Sequence, residues 1–287
     1  MYVYQSIAQS LHEQGCETLF GLMGDANLFM VDHFVRSCGA TFVPVAYEGS
    51  AVLMALAHGR VAGKVGFATV THGPALTNCI TALTEGARGR VPMVLLAGDT
   101  AVSNPQNLQN IDQRETVHIT GAGFEQMRAP ETASYDLAHA IYRAEAEQRP
   151  IVLNMPVDFM WQEIDHVRHS FPTFRTPSYV PEGPDLDEAI GMIASARRPI
   201  ILAGIGAKDA VEEITALADR LQAPLATTLK AKGMFNGHPF DIGIFGTLST
   251  PAAYDAIAKA DCVVAFGTSL HHFTTDKGAL MKGKRVI

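Results

Sequence analysis

The 287-residue sequence predicts an α/β fold of two doubly wound parallel-sheet domains, the second of them Rossmann-like. Two observations carry that expectation. Short β-branched runs recur along the chain, continuously apolar rather than alternating, as strands covered on both faces must be. Helix-length stretches separate them, which is the rhythm of βαβ units. The length itself suggests about two domains, and a hydrophobic content of 47% is ample for two cores.

The elements follow in order. Ile7 to Gln14 reads as a helix, Thr18 to Leu22 as a strand, and Leu28 to Ser37 as a helix. Thr41 to Ala46 is a strand, Ala51 to Ala62 a helix of small residues, and Val65 to Val70 a strand. Leu76 to Arg88 reads as one helix and Met93 to Ala97 as a buried strand. Tyr135 to Glu147 is a helix and Ile151 to Met155 a strand closed by Pro156. Periodicity then lapses across Pro172, Pro177, Pro181 and Pro184, so residues 166–183 read as a linker between a domain of residues 1–165 and one of residues 184–287. In the second domain Leu186 to Ala196, Val211 to Leu221 and Ala253 to Ala260 are helices. Pro199 to Ala203, Pro224 to Thr228 and Cys262 to Phe266 are strands, with a further strand starting at Arg285. A core strand cut short at Ile287 would leave a sheet edge open, so this domain reads as truncated.

Composition narrows the function. A net charge of −7 gives no basic surface, which argues against a nucleic-acid partner. Cys16, Cys38, Cys79 and Cys262 are scattered, without a C-x-x-C pair, and read as free thiols in a reducing cytoplasm. The first residues lack a charged segment before an apolar core, so they read as no signal peptide. No apolar run reaches the ~18 residues that a membrane span needs.

Two segments carry the chemistry. Tyr47-Glu48-Gly49-Ser50-Ala51 sets one carboxylate at the start of a helix. Thr71-His72-Gly73-Pro74-Ala75-Leu76-Thr77-Asn78 is a Gly/Pro turn between a strand and the next helix, an arrangement that offers backbone N–H groups to a ligand. The plain alternative for Glu48 is a solvated carboxylate favoured by the helix dipole. Asp25, in Gly24-Asp25-Ala26-Asn27, reads first as an N-cap for the helix from Leu28. His72 is equally a turn histidine or a functional one.

Taken with Phe20-Gly21-Leu22-Met23-Gly24-Asp25, this order resembles the pyrimidine-binding domain of thiamine diphosphate enzymes of the acetolactate synthase and benzoylformate decarboxylase type. Lys232-Gly233-Met234-Phe235, His238-Pro239, Ala260-Asp261 and Gly267-Thr268-Ser269-Leu270 extend the likeness into the family's central domain. The resemblance implies that Glu48 is catalytic, sharing a proton with a ring nitrogen of the cofactor's aminopyrimidine. It also implies that Met23, Gly24, Thr71, Pro74 and Asn78 join Glu48 in holding the cofactor. Asp25, His72 and Gln109 would face the substrate, the first two with roles in proton transfer. Tyr47 stands where the family often has His, Met23 where Pro is usual, and Ala75 where a second Gly is usual. An Ala75 forced to positive φ would be strained.

The same resemblance implies a 2-oxo acid substrate, and decarboxylation or carboligation as the reaction. It implies a homodimer or homotetramer assembled through the helices at Ala51–Ala62 and Leu76–Arg88, where Ala51, Ala55, Gly59 and Ala62 would allow close approach. Mg2+ would come through the family's diphosphate-binding domain, whose Gly-Asp-Gly segment is not in this sequence. FAD is permitted in the central domain but not favoured. The alternative is a noncatalytic or split subunit that needs a partner chain for the diphosphate site. A dinucleotide oxidoreductase using Gly204-Ile205-Gly206 would need an acidic ribose ligand about 20 residues on, and Ala223-Pro224-Leu225-Ala226-Thr227 offers none. The neighbouring His271 and His272 cannot face one metal from a regular element, and no metal site is read from them.

Overall fold

The computed structural model describes residues 1–172 and 179–287, which fall into two compact units divided between Thr176 and Pro177. Part of the expected linker, including Pro177, lies outside the described residues.

In the first unit the chain runs through α1 (Val3–Glu13), β1 (Thr18–Gly21), α2 (Leu28–Arg36), β2 (Thr41–Pro44), α3 (Glu48–Ala62) and β3 (Gly66–Val70). It continues through α4 (Pro74–Thr77), α5 (Ile80–Gly89), β4 (Met93–Asp99), α6 (Gln113–His118), β5 (Gly123–Gln126), α7 (Ala133–Glu147) and β6 (Pro150–Pro156). The six strands are parallel in the order β2-β1-β3-β4-β6-β5. The central strands β3, β4 and β6 are almost wholly buried, which is why they read as unbroken apolar runs. One core cluster packs α1, α2 and α7 on one face, around Leu11, Phe34 and Leu137. The other packs α3 and α5, around Val52, Leu76 and Leu83.

Strand order reverses at β1, with β2 on one side and β3 on the other. In open parallel sheets this reversal opens a crevice beyond the carboxyl ends of the strands, where ligands bind. The loops after β1, β2, β3 and β4 therefore converge on one edge.

Two expectations are corrected here. The single helix at Leu76–Arg88 is instead α4 and α5, because Gly73 takes φ +60° and Pro74 starts a short first turn that closes before Ile80. Three of the four small residues expected to face a partner face inward instead: Ala51, Ala55 and Gly59 are buried against their own sheet, Ala62 alone is exposed, and a Cβ on Gly66 of β3 would lie 2.1 Å from the Ala55 carbonyl oxygen. Close approach is thus spent on α3 and β3 within one unit, leaving Leu53, Met54 and Val61 exposed. Residues at the start of the expected linker contact the first unit. His166 meets Ser6 Oγ at 2.8 Å, and Phe171 stacks on Tyr142.

The second unit holds α8 (Pro184–Ala194), β7 (Pro199–Ala203), α9 (Val211–Leu221), β8 (Leu225–Thr227), β9 (Asp241–Ile244), α10 (Pro251–Lys259), β10 (Cys262–Phe266), α11 (His272–Thr275) and β11 (Arg285–Val286). Its five strands are also parallel, in the order β11-β10-β7-β8-β9, again doubly wound about the first strand. Gly204 and Gly206 open a short 3-10 turn rather than a helix, and α9 begins only at Val211. Among the described residues no helix is long and apolar enough to cross a membrane.

Candidate functional site

Glu48 is the first residue of α3, half-buried at the carboxyl edge of the first sheet. Its Oε2 accepts a 2.8 Å hydrogen bond from Asn78 Nδ2. The Tyr47 hydroxyl donates to the Asn78 carbonyl at 3.0 Å, so both ends of Asn78 are tied to the start of α3. The second carboxylate oxygen of Glu48 takes no hydrogen bond from the described residues. A flat ring nitrogen can use it without displacing a protein contact.

The Gly73-Pro74 turn delivers Asn78. At φ +60° and ψ −112° Gly73 adopts a backbone that L side chains avoid, and an added Cβ would lie 2.0 Å from the Gln109 carbonyl oxygen. Gln109 therefore meets the site through its backbone, half-buried, with its N–H bonded to Asn107 Oδ1. Ala75 lies within α4 and is not among the residues at positive φ, so the departure from a second glycine carries no strain.

A second group forms where the β1 and β3 loops touch. A Cβ on Gly24 would lie 2.7 Å from Thr71 Cβ. The Thr71 hydroxyl donates to Asp25 Oδ1 at 2.9 Å and lies 3.3 Å from His72 Nδ1. Since that hydroxyl has one proton and gives it to Asp25, His72 Nδ1 is the donor in the second contact. His72 Nε2 lies 3.7 Å from Asp25 Oδ2, the imidazole buried and the carboxylate exposed. The N-cap expectation for Asp25 is overturned. Asn27 is the N-cap residue of α2, and the Asp25 carboxylate is drawn to Thr71 instead. Asn27 secures the loop by accepting from the Gly24 N–H at 2.8 Å and donating to Thr69 Oγ1 at 3.1 Å. Met23 leaves its side chain exposed at the rim.

Gln113 and Asn154 escaped the sequence reading. Both are buried, and Gln113 bonds the Gly73 N–H, the Gly98 carbonyl and Asn154. The signal was there: Asn154 interrupts the apolar run Ile151-Val152-Leu153 in a buried strand, where a polar group must have partners. Burial pushes the Cys79 thiol beneath this turn up to about 12, with the nearby Glu48 carboxylate adding to the effect.

In the second unit a cleft of about 490 Å3 opens beyond the carboxyl ends of β7, β8 and β10, lined by Ile205, Thr228, Leu229, Phe245, Thr268 and Phe273 among others. Gly204 also lines it and Gly206 does not. A Cβ on Gly204 would lie 2.2 Å from the Gly267 carbonyl oxygen, so their lack of side chains serves loop-to-loop packing. His271 N-caps α11 by accepting from the Phe273 N–H.

Comparisons with known proteins agree with this geometry. Residues 1–118 match the model of the thiamine pyrophosphate enzyme N-terminal TPP binding domain, and residues 186–287 match that of the thiamine pyrophosphate enzyme central domain. The chain is 30% identical over 283 residues to a sulfoacetaldehyde acetyltransferase of Roseovarius nubinhibens, covering 97% of this chain and 46% of that protein. It is 29% identical over 274 residues to an acetolactate synthase large subunit of Corynebacterium glutamicum, covering 92% and 44%. It is 31% identical over 284 residues to a sulfoacetaldehyde acetyltransferase of Castellaniella defragrans, covering 94% and 46%. The chain thus spans less than half the length of these curated relatives. With the crevice, the carboxylate at its edge and both domain models in register with the two units, this chain belongs to the thiamine pyrophosphate enzyme family, of which it carries the N-terminal and central domains.

Proposed function

We propose that this chain is the N-terminal portion of a thiamine diphosphate-dependent 2-oxo acid decarboxylase or carboligase, acetolactate synthase-like, in which Glu48 activates the cofactor's aminopyrimidine. One observation carries the reading: a carboxylate at the carboxyl edge of the sheet, fixed through one oxygen by Asn78 and left open at the other. When bound, the cofactor supplies the carbanion chemistry. The chain's own residues orient and tune it. Glu48 holds a proton at the ring nitrogen, Asn78 fixes its carboxylate, and Met23, Gly24, Thr71 and Pro74 shape the slot. Asp25 and His72 hold a proton for the substrate, and Gln109 borders it.

Mg2+ and the diphosphate are held by groups beyond these 287 residues, in the same polypeptide or in a partner, since no Gly-Asp-Gly segment occurs here. Assembly as a homodimer or homotetramer is supported by the exposed Leu53, Met54 and Val61 of α3. A reducing cytoplasm is supported by four free thiols. The central-domain cleft is lined mainly by apolar and hydroxyl side chains, with no carboxylate among the described lining residues, and FAD is permitted but not favoured in this reading.

The test is proton exchange at C2 of thiamine diphosphate with Mg2+, measured by NMR on the complete enzyme containing this chain. Glu48→Gln is expected to slow exchange by roughly 10²–10⁴-fold, the range of general acid–base contributions. Equal rates in wild type and variant overturn the reading.

A further inference from the structure

The buried amides beneath the Gly73-Pro74 turn form a chain with a fixed direction. The Gly73 N–H can only donate, and the Asp99 carboxylate can only accept. Between them lie Gln113, 3% exposed, and Asn154, 1% exposed. Only one orientation of the two amides satisfies both ends. Gln113 Oε1 accepts from the Gly73 N–H at 3.0 Å, and Gln113 Nε2 donates to the Gly98 carbonyl at 2.8 Å and to Asn154 Oδ1. Asn154 Nδ2 then donates to Asp99 Oδ2 at 2.7 Å and to Gln126 Oε1 at 3.0 Å.

β3 ends at Val70, so the Gly73 N–H lies beyond the strand ladder and takes its acceptor from a side chain. Gln113 reaches it from the first residue of α6, carrying the restraint of β4, β5 and β6 into the loop after β3. In a low-dielectric interior each bond polarises the next, and a carboxylate at the accepting end strengthens the whole series.

We propose that Gln113 is a positioning residue: the directed chain Gly73–Gln113–Asn154–Asp99 sets the pose of the Gly73-Pro74 turn and so holds Asn78 against Glu48. The consequence for the cofactor rests on the reading of Glu48 given above, whereas the positioning of Asn78 does not.

The experiment uses this 287-residue chain, isotopically labelled, and follows two NMR signals: hydrogen exchange of the Gly73 amide and the shifts of the Asn78 side-chain amide. Gln113→Leu removes the acceptor for Gly73 and both donations. Asp99→Ala removes the distant acceptor together with a local one for the Thr100 N–H, from a half-buried position, and keeps the question open to test if the first variant fails to fold. Gln113→Leu is expected to speed Gly73 exchange about tenfold, the loss of one ordinary hydrogen bond. Asp99→Ala is expected to speed it by less, through the weakened chain, and both are expected to move the Asn78 signals. Unchanged Gly73 exchange in Asp99→Ala overturns the proposal. So does faster exchange with unmoved Asn78 signals, because mere packing support for β4 and β6 would stop short of Asn78. Thiamine, added as the aminopyrimidine probe, is expected to shift the Asn78 signals of the wild type. Failure of that shift counts against the cofactor reading alone, and the Gly73 and Asn78 comparisons still decide the positioning claim.

Discussion

Replacing Gly73 by Ala tests the turn on which the site depends. Two costs combine there. The φ of +60° is strained for any L side chain, at about 1–3 kcal/mol. The new methyl would also lie 2.0 Å from the Gln109 carbonyl oxygen, a backbone atom that cannot swing away, and forced overpacking adds about 1–3 kcal/mol. The sum is about 4 kcal/mol. Gly15 supplies the control, since its φ is +80° and nothing lies within 4 Å of an added Cβ. Gly15→Ala therefore bears only the left-handed penalty, about 1 kcal/mol. Urea unfolding followed by Trp161, the chain's single tryptophan, reports on the first unit that contains both glycines. With a slope of about 2 kcal/mol/M, the midpoint falls by about 2 M for Gly73→Ala and about 0.5 M for Gly15→Ala. Equal shifts in the two variants would refute the close approach of Gln109 to the turn, and with it the placement of that loop at the site.

Other outcomes are expected from single side chains. Asn78→Ala removes a hydrogen bond at an exposed position, so stability should change by no more than about 1 kcal/mol, while thiamine affinity measured by calorimetry should fall. Asp136→Asn should cost about 1–3 kcal/mol in the same urea assay, because this wholly buried carboxylate accepts from the Arg128 N–H, Arg128 Nε and Thr132 Oγ1, and an NH2 in place of one oxygen leaves a buried donor without its acceptor. With its thiol pushed up to about 12, Cys79 stays protonated at pH 8, and mass spectrometry after alkylation should find Cys38 labelled well before it. The same shift makes stability fall at high pH. The unfolded thiol ionises near 9 while the folded one keeps its proton, so this one group lowers stability by up to about 1.4 kcal/mol per pH unit between 9 and 12.

Much of this molecule is legible from residue order, because its strongest signals are local. β7, α9 and β10 begin and end where the apolar runs do, since a strand covered on both faces has no freedom to alternate. The elements that escaped are those whose stability is not local. β5 is a four-residue edge strand with a single buried position, and β9 is short with none, so neither leaves an apolar run to read. α6 is a six-residue helix started by an Asp112 cap. The division of one expected helix into α4 and α5 depends on the φ of Gly73, which composition does not reveal.

The sequence by itself determined the parallel α/β architecture, the family and the carboxylate on which the proposed chemistry rests. Periodicity, glycine turns and motif order are written in adjacent residues. Only the tertiary structure decided which side chains meet. It drew Asp25 to Thr71 and His72 across 46 residues instead of leaving it to cap its own helix. It turned Ala51, Ala55 and Gly59 of α3 inward, with Ala55 and Gly59 meeting Gly66 of β3. It also connected Gly73 to Gln113 and Asn154 across 40 and 81 residues. A buried polar atom takes its partner from whatever the sheet order brings alongside, and that order is settled by packing the whole unit.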